Sequence, residues 1–288
     1  MTESRIPVDL LNPGQVLACV GLMECEAAKV GANASPATGA FEAQGATEGA
    51  FVLSSPVGVT IAAICADLAG AEVVAIAPHG SGLEDKSVRT EHGPPHIFPA
   101  APPDKPSALP IRIDAGDWSV PVSSWAEGNA EGRDNAKFWA GNYTGASAAE
   151  LALKLVSAGH LKSEDPFSFA APQSSSFRLD WRRDYIPIDS GFSPNVQGKV
   201  EMIGYPLVEL LAVIGLEHAR PFRPNSRDKL RYEYAVPILP SPLTLLRAAV
   251  GGAETGLPIR RFSMKLGWPG QEGQARCILD AEEITHHA

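Results

Sequence analysis

Between residues 177 and 194 the chain reads FRLDWRRDYIPIDSGFSP. Three arginines, Arg178, Arg182 and Arg183, interleave there with Phe177, Trp181, Tyr185 and Phe192. Guanidinium forks grip phosphate oxygens and aromatic faces stack on unpaired bases, so the pattern is chemistry for a nucleic acid. A second group, Arg220, Arg223, Arg227, Lys229 and Arg231, lies among prolines and Asn225, and Arg260-Arg261 forms a third. Core packing is the competing reading for Phe177 and Trp181. Arg182 and Arg183, adjacent in an extended strand, would point to opposite faces, so about half of these cations can share one surface. Acidic protein surfaces are another target for the same groups.

Catalytic patterns are absent from the sequence. No GxGxxG follows a strand, and GxSxG, HExxH and the Walker loop are missing. His92 and His96 are four apart with His79 nearby, but Gly93, Pro94 and Pro95 intervene, so no helix presents them as metal ligands. Asp184, Asp189 and Glu201 fit no cation-loop spacing and are expected to be solvated or paired with Arg182 and Arg183. We therefore expect no catalytic residue, no metal and no cofactor. A metal-dependent nuclease is the least supported alternative.

The four cysteines, Cys19, Cys25, Cys65 and Cys277, are scattered with no CxxC pair, which points to a reducing, cytoplasmic setting. No apolar run approaches the ~20 residues that cross a bilayer, and the first residues do not read as a signal peptide, so no membrane partner is expected. The net charge of −9 is unevenly spread. Residues 1–166 carry 10 Lys+Arg and 20 Asp+Glu, whereas residues 167–267 carry 13 and 9. Such asymmetry suggests one face for a polyanion, with an unequally charged solvated surface as the plain alternative.

These side chains need elements to hold them. Asn12-Pro13 with Gln15 marks a capped helix start, and Val16, Cys19, Val20 and Met23 continue it to Val30 at helical spacing. Strands are expected at Ile6–Leu10, Ala40–Ala43, Ala50–Leu53 and Glu72–Ala77, with a second helix opening at Ser55-Pro56. The order βαββαβ is that of a ferredoxin-like or RRM-like sandwich. Residues 78–110 are rich in proline and read as a long loop, followed by a strand at Ile111–Asp114 and a helix capped by Thr144. Further on come strands at Phe177–Trp181, Arg231–Val236, Ile259–Leu266 and Ala275–Ala281, and helices at Pro206–Leu216 and after Ser241-Pro242. The expected fold class is α+β: two ferredoxin/RRM-like modules, each an antiparallel sheet with two helices, separated by a Pro/Gly-rich insertion. The expected units are residues 1–77, 78–166 and 167–288.

Leu17-Ala-Cys-Val-Gly-Leu22 is echoed by Leu211-Ala-Val-Ile-Gly-Leu216. Either the match is chance, or a module is duplicated and Gly21 and Gly215 let a helix approach a sheet closely.

The stretch IPVDLLNPGQVLACVGLMECEAA (6–28) resembles the N-terminus of subunits of type I-U (I-G) CRISPR–Cas systems. So do KFWAGNYTGASAAELALKL (137–155), FRLDWRRDYIPIDSGFSP and YPLVELLAVIGLEHARPF (205–222), although Asn142-Tyr143 stands where that group carries a glutamine-serine-like pair. The resemblance implies a large-subunit-like component of a Cascade surveillance complex. Its implied partners are CRISPR RNA, target DNA, the other Cascade subunits and a helicase-nuclease recruited on target binding. In such complexes RNA pairing reads sequence while protein reads a short motif and shape. Under it Lys137, Arg178, Arg182, Arg183, Arg220, Arg223, Arg227, Lys229 and Arg231 would contact phosphates, with Arg260 and Arg261 beside them. Trp139, Asn142, Tyr185 and Asn225 would stack on bases or touch their edges. A purely architectural subunit without nucleic-acid contact is the alternative.

Overall fold

The computed structural model describes residues 1–94, 103–125, 144–158, 165–173, 176–184, 201–268 and 276–284. Its elements run in chain order as β1 (Thr2–Asp9), α1 (Pro13–Val30), β2 (Thr38–Ala43), β3 (Glu48–Ser55), α2 (Ile61–Ala69) and β4 (Glu72–Pro78). There follow β5 (Arg89–Gly93), β6 (Ile111–Ala115), β7 (Trp118–Val122), α3 (Gly145–Ala158), β8 (Ala171–Pro172), β9 (Ile203–Gly204) and α4 (Pro206–Leu216). The last are β10 (Arg231–Pro237), β11 (Ser241–Pro242), α5 (Leu243–Val250), β12 (Ile259–Gly267) and β13 (Cys277–Glu283). The class is α+β, and among the described residues no helix is long and apolar enough to cross a membrane.

Helix α1 starts where its cap dictates. The Asn12 side chain accepts from the Gly14 N–H at 3.1 Å, and Pro13 occupies the first turn. Gln15 reaches back three residues further than a capping box would, its Oε1 accepting from the Asp9 N–H at 2.7 Å. Every residue from Pro13 to Glu26 is buried, so α1 is a central helix covered on all sides. Its nearest neighbour is α4, whose eleven residues are all buried.

The two helices meet through the echoed segments. A Cβ on Gly21 would come 2.0 Å from the Leu211 carbonyl oxygen, and one on Gly215 would come 2.0 Å from that of Leu17. Leu17 and Leu211 open the two copies, and Gly21 and Gly215 hold the same place in each. The contact is therefore reciprocal, as across a local two-fold axis. The glycines serve a helix–helix approach rather than the expected helix–sheet one, and any larger residue forces the two backbones apart.

Strands β1, β3 and β2 pair antiparallel, and Phe41 and Phe51 face each other across β2 and β3 with ring centroids 5.0 Å apart. The N-terminal element order matches βαββαβ, but the sheet does not close as expected. Strand β4 lies in another sheet, ordered β5-β4-β6-β7, pairing parallel with β5 and antiparallel with β6. The open edge of β2 is taken by β11 from the C-terminal part of the chain. Strands β10, β12 and β13 form a third, antiparallel sheet. One continuous apolar core draws on all three sequence segments, from Ile6 to Ala281.

Three local expectations are corrected. Helix α2 begins at Ile61 because Thr60 caps the Ala63 N–H, while Ser55 stays in β3 and receives the Val59 N–H. Ser241-Pro242 is the short strand β11, and α5 starts one residue later. Phe177–Trp181 is not a strand: Arg178 sits at φ +65°, a left-handed conformation that ends any extended run.

Candidate nucleic-acid interface

The first basic-aromatic stretch folds inward. Asp180 is fully buried, and Asn12 donates to its Oδ1 at 2.8 Å across 168 residues of sequence. Arg182 closes on the same carboxylate through Nε and Nη2, and Nη2 also donates to the Phe167 carbonyl at 2.9 Å. The Arg182 guanidinium lies over the Tyr205 ring, 3.7 Å from its centroid. Arg183 is 4% exposed and donates to the Gln173 carbonyl at 2.8 Å.

Beneath this turn stands Glu209, the lone charged residue of α4. Its carboxylate accepts the backbone N–H groups of Leu179 and Asp180, each at 3.1 Å. Burial pushes its pKa up to about 7, helped by the Asp180 charge, while those two N–H groups and Arg183 pull the other way. The cluster fastens the 177–183 turn to the start of α1 and to α4. Arg182 and Arg183 are thus internal pins, which corrects the expectation of an alternating pair on a strand.

The third group is also engaged. Arg260 binds Glu283 at 2.7 Å and donates to the Ala46 carbonyl at 2.5 Å, tying β12 to the β2–β3 turn. Arg261 meets Glu254 at 2.6 Å. Arg231 lies 3.5 Å from Glu282 across the sheet. Arg178 is half-buried, its N–H donating to Ser176. Arg220 donates to the Ser124 carbonyl at 2.8 Å.

What stays at the surface is the loop between α4 and β10. Asn225, Arg227 and Lys229 are exposed and Arg223 is half-buried. The loop is shaped by its own acceptors: Asn225 Oδ1 receives the Arg227 N–H, and Asp228 Oδ1 receives that of Leu230. Residues 220–231 hold five Lys+Arg against one Asp in a chain of net charge −9. Arg223, Asn225, Arg227 and Lys229 therefore share one loop, whereas Arg178, Arg182, Arg183, Arg260 and Arg261 lie elsewhere. Lys137, Trp139, Asn142 and Tyr185 fall outside the described residues.

Asp180 and Glu209 escaped the sequence reading. The signal for Glu209 was present: a single acid inside PLVELLAVIGL has no solvent to face and must find donors. Asp180 has a local partner in Arg182, but its other side-chain partner, Asn12, is remote in sequence.

The described histidines and acids offer little to a cation. His79 and His92 lie on either side of the β4–β5 pairing, His96 is outside the described residues, and among those described no cluster of three or more His, Cys, Asp or Glu could hold a metal. A hollow of about 200 Å³ opens between the end of α1 and Leu243. Apart from Glu26, bonded to Ser55 at 2.8 Å, its lining is apolar or glycine. The four cysteines are buried, and burial raises Cys65 to about 12, far from a reactive thiolate. Compared with protein-family models, curated proteins and solved structures, the chain matches none.

Proposed function

We propose that this chain is a non-catalytic subunit of a type I-U CRISPR RNA-guided surveillance complex that contacts CRISPR RNA or target DNA. The motifs at 6–28, 177–194 and 205–222 suggest the family, and the order β1, α1, β2, β3 is compatible with the opening of a ferredoxin-like module. The observation that carries the contact is the exposed loop bearing Arg227 and Lys229, the densest positive stretch of an acidic protein. Each neutralised phosphate releases condensed counterions, so binding by such a loop falls steeply with salt. The test is a salt titration of nucleic-acid binding by the assembled complex with and without Arg227→Glu/Lys229→Glu. A flat salt response, unchanged by the substitutions, overturns the proposal.

A purely architectural subunit is the second reading, favoured by one observation. Arg182, Arg183 and Arg260 are engaged inside the protein, while Ile238, Leu239 and Leu245 are exposed near α5, as an apolar docking face requires. Loss of complex assembly on Leu245→Glu, with nucleic-acid binding by the remaining chain unaffected by Arg227→Glu, selects it.

A further inference from the structure

Phe222 opens the basic loop and is 50% exposed, one of seven large apolar side chains exposed among the described residues. Its backbone is not loose. The Phe222 N–H donates to the Glu233 carbonyl at 2.8 Å, and the Glu233 N–H returns to the Phe222 carbonyl at 2.7 Å, forming an isolated antiparallel bridge to β10. From the other side Gly252 supports it: a Cβ there would come 2.6 Å from the Phe222 Cβ. Gly252 itself sits at φ +87°, so the turn after α5 needs glycine twice over, for its backbone and for this contact. The loop is tied further along where the Leu266 N–H donates to the Leu230 carbonyl at 2.7 Å.

The result is a half-exposed ring on an anchored backbone, followed within seven residues by Arg223, Arg227 and Lys229. An aromatic face beside cations spaced along a chain is the arrangement that takes a base on the ring and its phosphates on the cations. A base inside a duplex has no free face, so the arrangement selects single strands. Because the bridge already fixes the backbone at Phe222, no loop ordering is needed to present the ring.

We infer that Phe222 is the stacking platform for one unpaired base of a single-stranded RNA or DNA segment whose phosphates lie along Arg227 and Lys229. This rests on the reading of the chain as a nucleic-acid-binding subunit, and it adds the ligand's strandedness and a base-contacting residue that the basic pattern did not include.

The probes are fluorescein-labelled oligothymidylate, the same oligomer with abasic sites, and a duplex of equal length, each titrated by anisotropy into the full chain at low salt. Phe222→Ala weakens oligothymidylate binding about tenfold, within the range for one base–aromatic stack, and leaves the abasic oligomer unaffected. Phe222→Trp retains binding and adds an indole emission that the oligomer quenches. Arg227→Glu/Lys229→Glu weakens the base-bearing and abasic oligomers alike, and the duplex binds more weakly than the single strand. If the charge reversals weaken binding but Phe222→Ala does not, or acts equally on the abasic oligomer, the stacking role is overturned and the surveillance-subunit reading stands. If no oligomer binds, or polyglutamate displaces the oligomer at equal charge concentration, the loop is not a nucleic-acid site and both readings fall. Thermal melting of Phe222→Ala, expected to match the parent, guards against misfolding.

Discussion

Two arginine-bearing regions of similar sequence character have opposite fates. In the 177–183 turn, Arg182 and Arg183 are drawn inward by Asp180, by the Phe167 and Gln173 carbonyls and by the Tyr205 ring. In the 222–231 loop, Arg227 and Lys229 stay exposed, and the side chains of Asn225 and Asp228 serve the loop's own backbone. The difference lies in what surrounds the guanidinium group. A buried carboxylate and carbonyl acceptors compensate the loss of water in the first region, whereas Arg227 and Lys229 in the second keep their hydration. A run of arginines in a sequence is thus evidence of anions somewhere, inside or outside.

The largest expected effect is at the internal anion. Asp180→Ala removes the acceptor shared by Asn12 and Arg182 and leaves a half-buried guanidinium without its counter-charge. Removing one member of a buried pair typically costs about 3–5 kcal/mol, and we expect a loss of that order in urea unfolding. A loss below about 1 kcal/mol would place Asp180 among ordinary surface acids and dissolve the contrast between the two regions.

Glu209 gives the next effect, and it is read by pH. A carboxyl whose folded pKa lies above its unfolded one holds its proton more tightly when folded, so its contribution is largest at low pH and declines as pH rises from 4.5 through about 7. That displacement corresponds to roughly 3 kcal/mol. Glu26 and Asp9, also raised chiefly by burial, add slopes of the same sign. Glu209→Gln should flatten the stability profile between about pH 4.5 and pH 7 by that amount while the remaining slope persists. An unchanged profile in the variant would mean that Glu209 does not titrate in this range.

How much of this was legible follows from how local each cause is. The helix starts at Pro13 and Pro206 were readable, and so was that of α3, where Thr144 and Ser147 exchange hydrogen bonds. A cap is decided by neighbours three residues away. Sheet membership was not readable. The pattern EVVAIA marks β4 as a strand but is silent on whether β1 or β6 receives its hydrogen bonds. The inward turn of Arg182 depends on Asp180, Phe167 and Tyr205, and Asp180 depends in turn on Asn12. The echoed glycines were visible as a repeat, but only the reciprocal approach of Leu17 and Leu211 shows that the copies pack on each other.

On the exposed side the effects should appear in binding and hardly in stability. Arg227→Glu/Lys229→Glu should change the unfolding free energy by less than about 0.5 kcal/mol, as for surface positions generally. Neutralising those cations as Arg227→Gln/Lys229→Gln should make the logarithmic salt dependence of single-strand binding shallower by about 1.4, near 0.7 for each lost phosphate contact. A stability loss comparable to that of Asp180→Ala would move the loop into the same class as the turn.

Arg261 marks the boundary between the two kinds of arginine and carries the smallest effect. Its distance to Glu254, 2.6 Å, is as short as that of the internal pairs, and its own side chain is only 17% exposed. The partner carboxylate, however, is 91% exposed, so water screens it and it loses little hydration on pairing. Glu254→Ala should therefore cost below about 0.5 kcal/mol in urea unfolding and should weaken further with added salt. A loss as large as that at Asp180 would show that distance alone, rather than burial of the anion, decides which arginines hold the protein together.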